Sequence, residues 1–241
     1  MGSMIKYTVF PDYFSLSKAA AERIIRQIKH NPLTLLGLAT GSTPIGLYAR
    51  LIDQHRRGKL SLSRVTTFNL DEYVGIPKDH PQSYHVFMQK HLFDHVDIPP
   101  ARRHFPDTDK SGTQYDLQIM RSGGLDVQIL GIGANGHIGF NEPGAAFDSK
   151  TRVVELAEST IRDNARFFDH SDEVPRQAIT MGIATILQAR HIILMANGAN
   201  KAAAVAAAFQ ERPSVNVPAS CLQTHHSVHV LLDTAAAGDL S

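Results

Sequence analysis

Leu33-Thr34-Leu35-Leu36-Gly37-Leu38-Ala39-Thr40-Gly41-Ser42-Thr43-Pro44 is the stretch that decides the fold. Its first seven residues form a short, nearly continuous apolar run, the pattern of a parallel strand covered on both faces. The run breaks at a turn of small and hydroxyl-bearing residues. Pro44 suits a first helical position with Thr43 or Ser42 as its cap, and Leu47, Leu51 and Ile52 continue at helical spacing. The unit therefore reads strand, turn, helix. At such a helix start, free backbone N–H groups and the positive dipole end can hold a phosphate. The lysine of a Walker loop is missing, which disfavours a nucleoside triphosphate. An ordinary capped turn would carry the same local sequence.

The pattern repeats outward from this unit. Ser17 to His30 spaces Ala20, Ile24 and Ile28 four apart as one apolar helical stripe, stopped by Pro32. Val65–Leu70, Asp126–Leu130, His191–Ala196 and Val228–Asp233 read as strands, the last closing the sheet, and Arg152–Leu156 as a further candidate. Tyr84–Phe93, Gln114–Met120, Ile161–Phe168 and the alanine-rich Lys201–Phe209 read as helices. Strands alternating with helices predict an α/β fold: an open, mostly parallel sheet with helices on both faces, Rossmann-like and doubly wound. Ligands then collect beyond the carboxyl ends of the strands. A chain of 241 residues fits one domain over 1–241, with Met1-Gly2-Ser3 expected to be a non-native leader before Met4.

Composition narrows the function classes. Hydrophobic residues make up 43% and charged residues 20%, as in a globular chain. The 24 basic and 23 acidic residues give a net charge of +1 without like-charge blocks, so no nucleic-acid partner is expected. One cysteine, Cys221, allows no intramolecular disulfide and no cysteine-based zinc site; a small buried residue is its default role. Neither a secretory leader nor an apolar run of about 20 residues is visible, so a cytoplasmic protein without a membrane partner is expected. His225, His226 and His229 suggest a metal site, but no acidic partner lies near in sequence, and surface histidines without metal are expected.

Two more polar signatures follow strands. Asn69-Leu70-Asp71-Glu72-Tyr73 sets two carboxylates at a strand end, where alternation lets only one face a crevice. A carboxylate there can take a carbon-bound proton if partial burial raises its pKa. A cap or salt bridge is the plainer role. The loop Gly131-Ile132-Gly133-Ala134-Asn135-Gly136-His137-Ile138-Gly139-Phe140-Asn141-Glu142-Pro143 gathers Asn135, His137, Asn141 and Glu142. A histidine beside a carboxylate suits proton relay near neutral pH. The match to a dinucleotide fingerprint is superficial, since Phe140 and Pro143 oppose a prompt helix, and a structural glycine loop is the alternative.

Together with Ser83-Tyr84-His85, Asn164-Ala165-Arg166-Phe167-Phe168, Ala178-Ile179-Thr180-Met181-Gly182, Asn197-Gly198-Ala199-Asn200-Lys201-Ala202 and Pro218-Ala219-Ser220-Cys221-Leu222-Gln223, these stretches resemble the glucosamine-6-phosphate deaminase family over nearly the whole chain. The resemblance implies an enzyme of amino-sugar catabolism that converts glucosamine 6-phosphate and water into fructose 6-phosphate and ammonia, with no cofactor. It implies Asp71 as the base at the nitrogen-bearing carbon and His137 as acid/base at the ring oxygen, oriented by Glu142 and Asn135. It places the phosphate on Thr40, Gly41, Ser42 and Thr43, with Arg166 and Lys201 arriving from later helices; surface roles for those two cations are the plainer alternative. Some members carry aspartate where Asn135 stands, and asparagine can hydrogen-bond but cannot exchange a proton. Longer, allosterically regulated members have a C-terminal tail beyond the last strand, so tail-dependent activation by N-acetylglucosamine 6-phosphate is expected to be absent. A small sugar phosphate is the expected partner, and the oligomeric state is left open between monomer and homo-oligomer. Two rivals stand beside this reading: a 6-phosphogluconolactonase-like hydrolase, which needs no carbon base, and a non-catalytic sugar-phosphate sensor, which would release no ammonia.

Overall fold

The computed structural model describes residues 5–165, 168 and 174–240. In chain order the elements are β1 (Lys6–Phe10), α1 (Tyr13–His30), β2 (Leu35–Leu38), α2 (Ile45–Arg56), β3 (Thr66–Asn69), β4 (Asp71–Tyr73), α3 (Tyr84–His91), β5 (Arg103–His104), α4 (Gly112–Arg121), β6 (Val127–Leu130), β7 (Arg152–Glu155), α5 (Glu158–Ala165), β8 (Gln177–Thr180), α6 (Ile183–Ile186), β9 (His191–Ala196), α7 (Ala202–Gln210) and β10 (Val228–Asp233). Seven strands pair in the order β1-β10-β9-β6-β2-β3-β5, all parallel, in an open sheet. The expected α/β class is what the chain forms. All four residues of β6 and five of six in β9 are buried, which requires cover on both faces.

From β2 the chain proceeds outward through β3 to β5, and from β6 it proceeds the other way through β9 to β10. The order reverses between β2 and β6. The loops leaving these two strands, 39–44 and 131–141, therefore flank the crevice at the topological switch point, where open α/β sheets bind ligands.

Two features depart from the sequence expectation. β10 does not close the sheet, because β1 pairs along its outer side, Lys6 opposite His229 through Phe10 opposite Asp233. Asp71 follows the parallel strand, but Asp71–Tyr73 then forms a strand of its own. β4 leaves β3 at Leu70 and joins a separate antiparallel sheet, β4-β8-β7, in which Asp71 pairs with Thr180 and Thr180 with Arg152. A small core of Tyr73, Phe140, Leu156 and Ala178 lies on this second sheet, apart from the main core. Cys221 is buried, as its default role requires. His225 is buried rather than superficial, and both ring nitrogens bind backbone: Nε2 lies 2.8 Å from the Ala189 carbonyl and Nδ1 accepts from Ser227 N–H at 3.1 Å. It precedes β10, so strand alternation does not relate it to His229. Among the described residues no helix is long and apolar enough to cross a membrane.

Candidate active site

The 40–44 turn comes first. α2 begins at Ile45, which makes Pro44 the cap residue, and neither Thr43 nor Ser42 provides a side-chain cap. The expected capping role is corrected: the cap comes from another helix. The Tyr13 hydroxyl, in the first turn of α1, accepts from Gly46 N–H at 2.8 Å and lies at donor distance from the carbonyls of Ser42 (3.1 Å) and Thr43 (2.9 Å). Close approach of α1 to α2 explains this reach, because a Cβ on Gly46 would stand 2.4 Å from Ser17 Oγ. Relieved of capping, the hydroxyls of Ser42 and Thr43 can serve the crevice.

Asp71 is buried, and no described residue donates a hydrogen bond to its carboxylate. Burial, reinforced by the charge of Glu72, pushes its pKa up to about 8. Glu72 points the other way, as alternation requires. It accepts from the backbone N–H of Tyr73 (2.8 Å), Tyr84 (3.0 Å) and His85 (3.0 Å) and touches His85 Nδ1 at 2.7 Å. It thus satisfies the first turn of α3, alongside the Ser83 hydroxyl that accepts from Val86 N–H. One carboxylate faces the crevice and its neighbour anchors the helix that brings Tyr84 to it.

The glycine loop is held from two sides. Phe140 N–H donates to Thr180 Oγ1 at 3.1 Å, and buried Asn141 donates to the carbonyls of Ile138 and Met181 while accepting from Arg152. Thr180 is also the register partner of Asp71, so the antiparallel sheet fixes base and loop in one frame. Gly133 leaves room for the imidazole of His137, whose Cε1 and Nδ1 would stand 2.3 Å from any Cβ there. His137 Nδ1 is buried without a well-aligned hydrogen bond, so its 3.4 Å contact with Glu142 Oε2 is mainly electrostatic. The ring's remaining exposure comes from its other edge. Burial alone would raise the pKa of Glu142, but contact with His137, with help from Thr160 and Asn135, holds it down to about 2. Asn135 Nδ2 donates to Glu142 Oε2 at 2.8 Å, and its Oδ1 accepts from the backbone N–H of His137 at 3.2 Å. Asparagine thus orients His137 through the loop backbone and Glu142, without touching the ring.

Thr40, Gly41, Ser42, Thr43, Asp71, His137 and Lys201 line one cavity of about 240 Å³. Glu142 and Asn135 stand behind His137. Lys201 ends the 3-10 turn Ala199–Lys201 ahead of α7, and Asp233 holds that turn by accepting from Gly198 N–H. Arg166 lies outside the described residues. Sequence reasoning gave no role to Tyr84 or Thr160, which also line the cavity, nor to Tyr13. Tyr84 belongs to the Ser83-Tyr84-His85 stretch and stacks on Phe140 at 6.1 Å, but no local pattern marks Thr160 or Tyr13.

A buried base, an imidazole backed by a carboxylate and a hydroxyl-rich helix start thus surround a space the size of a small phosphorylated molecule. Residues 12–231 match the family described as glucosamine-6-phosphate isomerases/6-phosphogluconolactonase. The chain is similar to glucosamine-6-phosphate deaminase of Rhodopirellula baltica, 51% identical over 240 residues covering 98% of this chain and 96% of that protein. It is 48% identical to the deaminase of Thermoanaerobacter sp. (strain X514) over 238 residues, 97% of this chain and 94% of that one. A solved monomeric glucosamine-6-phosphate deaminase, described as a missing link of the NagB superfamily, superposes with a TM-score of 0.95 at 43% identity, covering 98% of this chain and all of the other. 6-Phosphogluconolactonase of Trypanosoma brucei, 24% identical with a TM-score of 0.79, covering 98% of this chain and 99% of its own, shares the fold.

Proposed function

Because the chain belongs to the glucosamine-6-phosphate isomerase/6-phosphogluconolactonase family, we propose that its crevice converts glucosamine 6-phosphate and water into fructose 6-phosphate and ammonia. The observation that carries this reading is the convergence of Asp71, His137 and the 40–43 turn on one cavity. The phosphate rests on the turn, with Lys201 as a point charge beside it. His137, the family's ring-opening acid/base, moves the proton between the anomeric hydroxyl and the ring oxygen. Asp71 then removes the C2 proton. The C–H electron pair forms a C1=C2 double bond, the C1 carbonyl oxygen takes a proton from water, and Asp71 returns its own proton to C1 to leave an iminium at C2. The iminium adds water and expels ammonia. A pKa near 8 makes Asp71 a far stronger base than an exposed carboxylate, which this abstraction requires. Glu142 stays ionised through the neutral range and fixes the Nδ1 edge of the imidazole. A charged sugar phosphate does not cross membranes unaided, which supports a cytoplasmic setting.

The test is ammonia release from glucosamine 6-phosphate without added metal. Wild type turns over, and Asp71→Asn loses about two orders of magnitude or more. Hydrolysis of 6-phosphogluconolactone without ammonia release would select the lactonase reading instead, since that reaction needs no carbon base.

A further inference from the structure

At the opposite end of the sheet lies a second cavity of about 440 Å³. Its walls are the last turns of α1, with Arg23, Arg26, Gln27 and His30, and the amino ends of β9 and β10, with His191 and His229. Among the described residues, two guanidinium groups and three imidazoles line it, and no carboxylate does. Neither arginine forms a salt bridge among the described residues. Asp126 accepts from Arg190 at 2.9 Å and from Leu35 N–H at 2.8 Å, while Glu22 acts on Arg23 only through its field. The crowding is visible in proton affinities. Burial, then Arg23, His191 and Lys6, hold His229 below the ordinary imidazole range. Burial, then Arg26, lowers Arg23. In a chain whose net charge is only +1, this is a concentrated cationic hollow.

We propose that this hollow is a binding site for a small phosphorylated metabolite, distinct from the catalytic crevice. Arginine forks and imidazole N–H groups match phosphate oxygens, and the volume suits a ligand of metabolite size. His191 already turns Nδ1 to Ser227 Oγ at 2.7 Å, which fixes the ring. Among the described residues the one side-chain hydrogen bond of Arg23 goes to the Ala19 carbonyl of its own helix at 3.4 Å, which leaves it available to a stronger acceptor. A bound anion favours the charged form of His229, whose proton affinity is lowered in the empty hollow, so binding takes up protons and tightens as pH falls. One helix reaches both sites: Tyr13 braces the 40–44 turn, and the other end of α1 walls this hollow.

The probe is inorganic pyrophosphate, added at about pH 6.5 with sodium chloride of matched ionic strength as the control for screening. Imidazole Cε1–H resonances, assigned by His191→Gln and His229→Gln, report this hollow, and that of His137 reports the crevice. The expected result is a saturable shift of His191 and His229 with pyrophosphate alone, with proton uptake detected by calorimetry in buffers of different ionisation enthalpy. Arg23→Ala/Arg26→Ala weakens that binding at least about tenfold and leaves deamination without pyrophosphate unchanged. The proposal is overturned if the shifts fail to saturate, if sodium chloride reproduces them, or if the double variant binds as tightly as wild type. Because the readout is local, it stands or falls independently of the deaminase reading.

Discussion

Asn135 donates to Glu142 through Nδ2, a bond that an aspartate could not make. With aspartate there, two carboxylates would meet beside His137, and the repulsion would raise the pKa of Glu142 from its value near 2. Asn135→Asp is therefore expected to raise the Glu142 midpoint, which a carboxylate NMR titration reads directly, and to leave the ascending limb of the kcat/KM profile in place. Asp71 sets the ascending limb of that profile. It acts as a base only when ionised, so kcat/KM of the free enzyme should climb with pH and level off above about 8. The sequence placed these side chains because each follows a strand. It did not reveal that Asn135 serves Glu142, since the rotamers that decide this are set by Thr160 and the loop backbone.

At the scale of elements, the junction of β4 and α3 couples helix start to base. Glu72→Gln keeps an acceptor for the Tyr84 amide and removes the charge that adds to burial in raising Asp71, so the midpoint of the ascending limb should shift to lower pH. The brace between α1 and α2 yields a different signature. Tyr13→Phe strips the 40–44 turn of its cap and should cost about 1 kcal/mol or more of loop order. Steady-state kinetics should show it mainly as a rise in KM of several-fold, with kcat less affected. Elements differed in legibility for a physical reason. β6, β9 and β10 read as buried apolar runs because the parallel sheet is covered on both faces. β1 escaped notice because four of its five residues are exposed and its pattern is set by pairing with β10, over two hundred residues away. The strands of the small antiparallel sheet are three or four residues long, too short to show alternation, so only β7 was read as a strand and its antiparallel pairing was invisible.

For the whole molecule, the base is a stability cost. A carboxyl whose folded pKa is about 8 against an ordinary value of 3.8 holds its proton more tightly folded than unfolded between those limits. Stability from this group therefore falls as pH rises from about 4 toward 8 and then levels. Asp71→Asn should raise Tm relative to wild type at about pH 9 and lose that advantage near pH 4, as thermal melts at both values will show. The variant that silences chemistry is thus expected to be the sturdier protein in alkali, a trade-off common at reactive sites. The tyrosine brace has its own implication for anyone hoping to borrow this phosphate grip. Residues 40–44 can be spliced after a strand in a foreign scaffold, but residue 13, supplied from a separate helix, would stay behind. Such a graft would carry the recognisable letters and not the rigidity, and a successful transplant has to import the neighbouring helix as well.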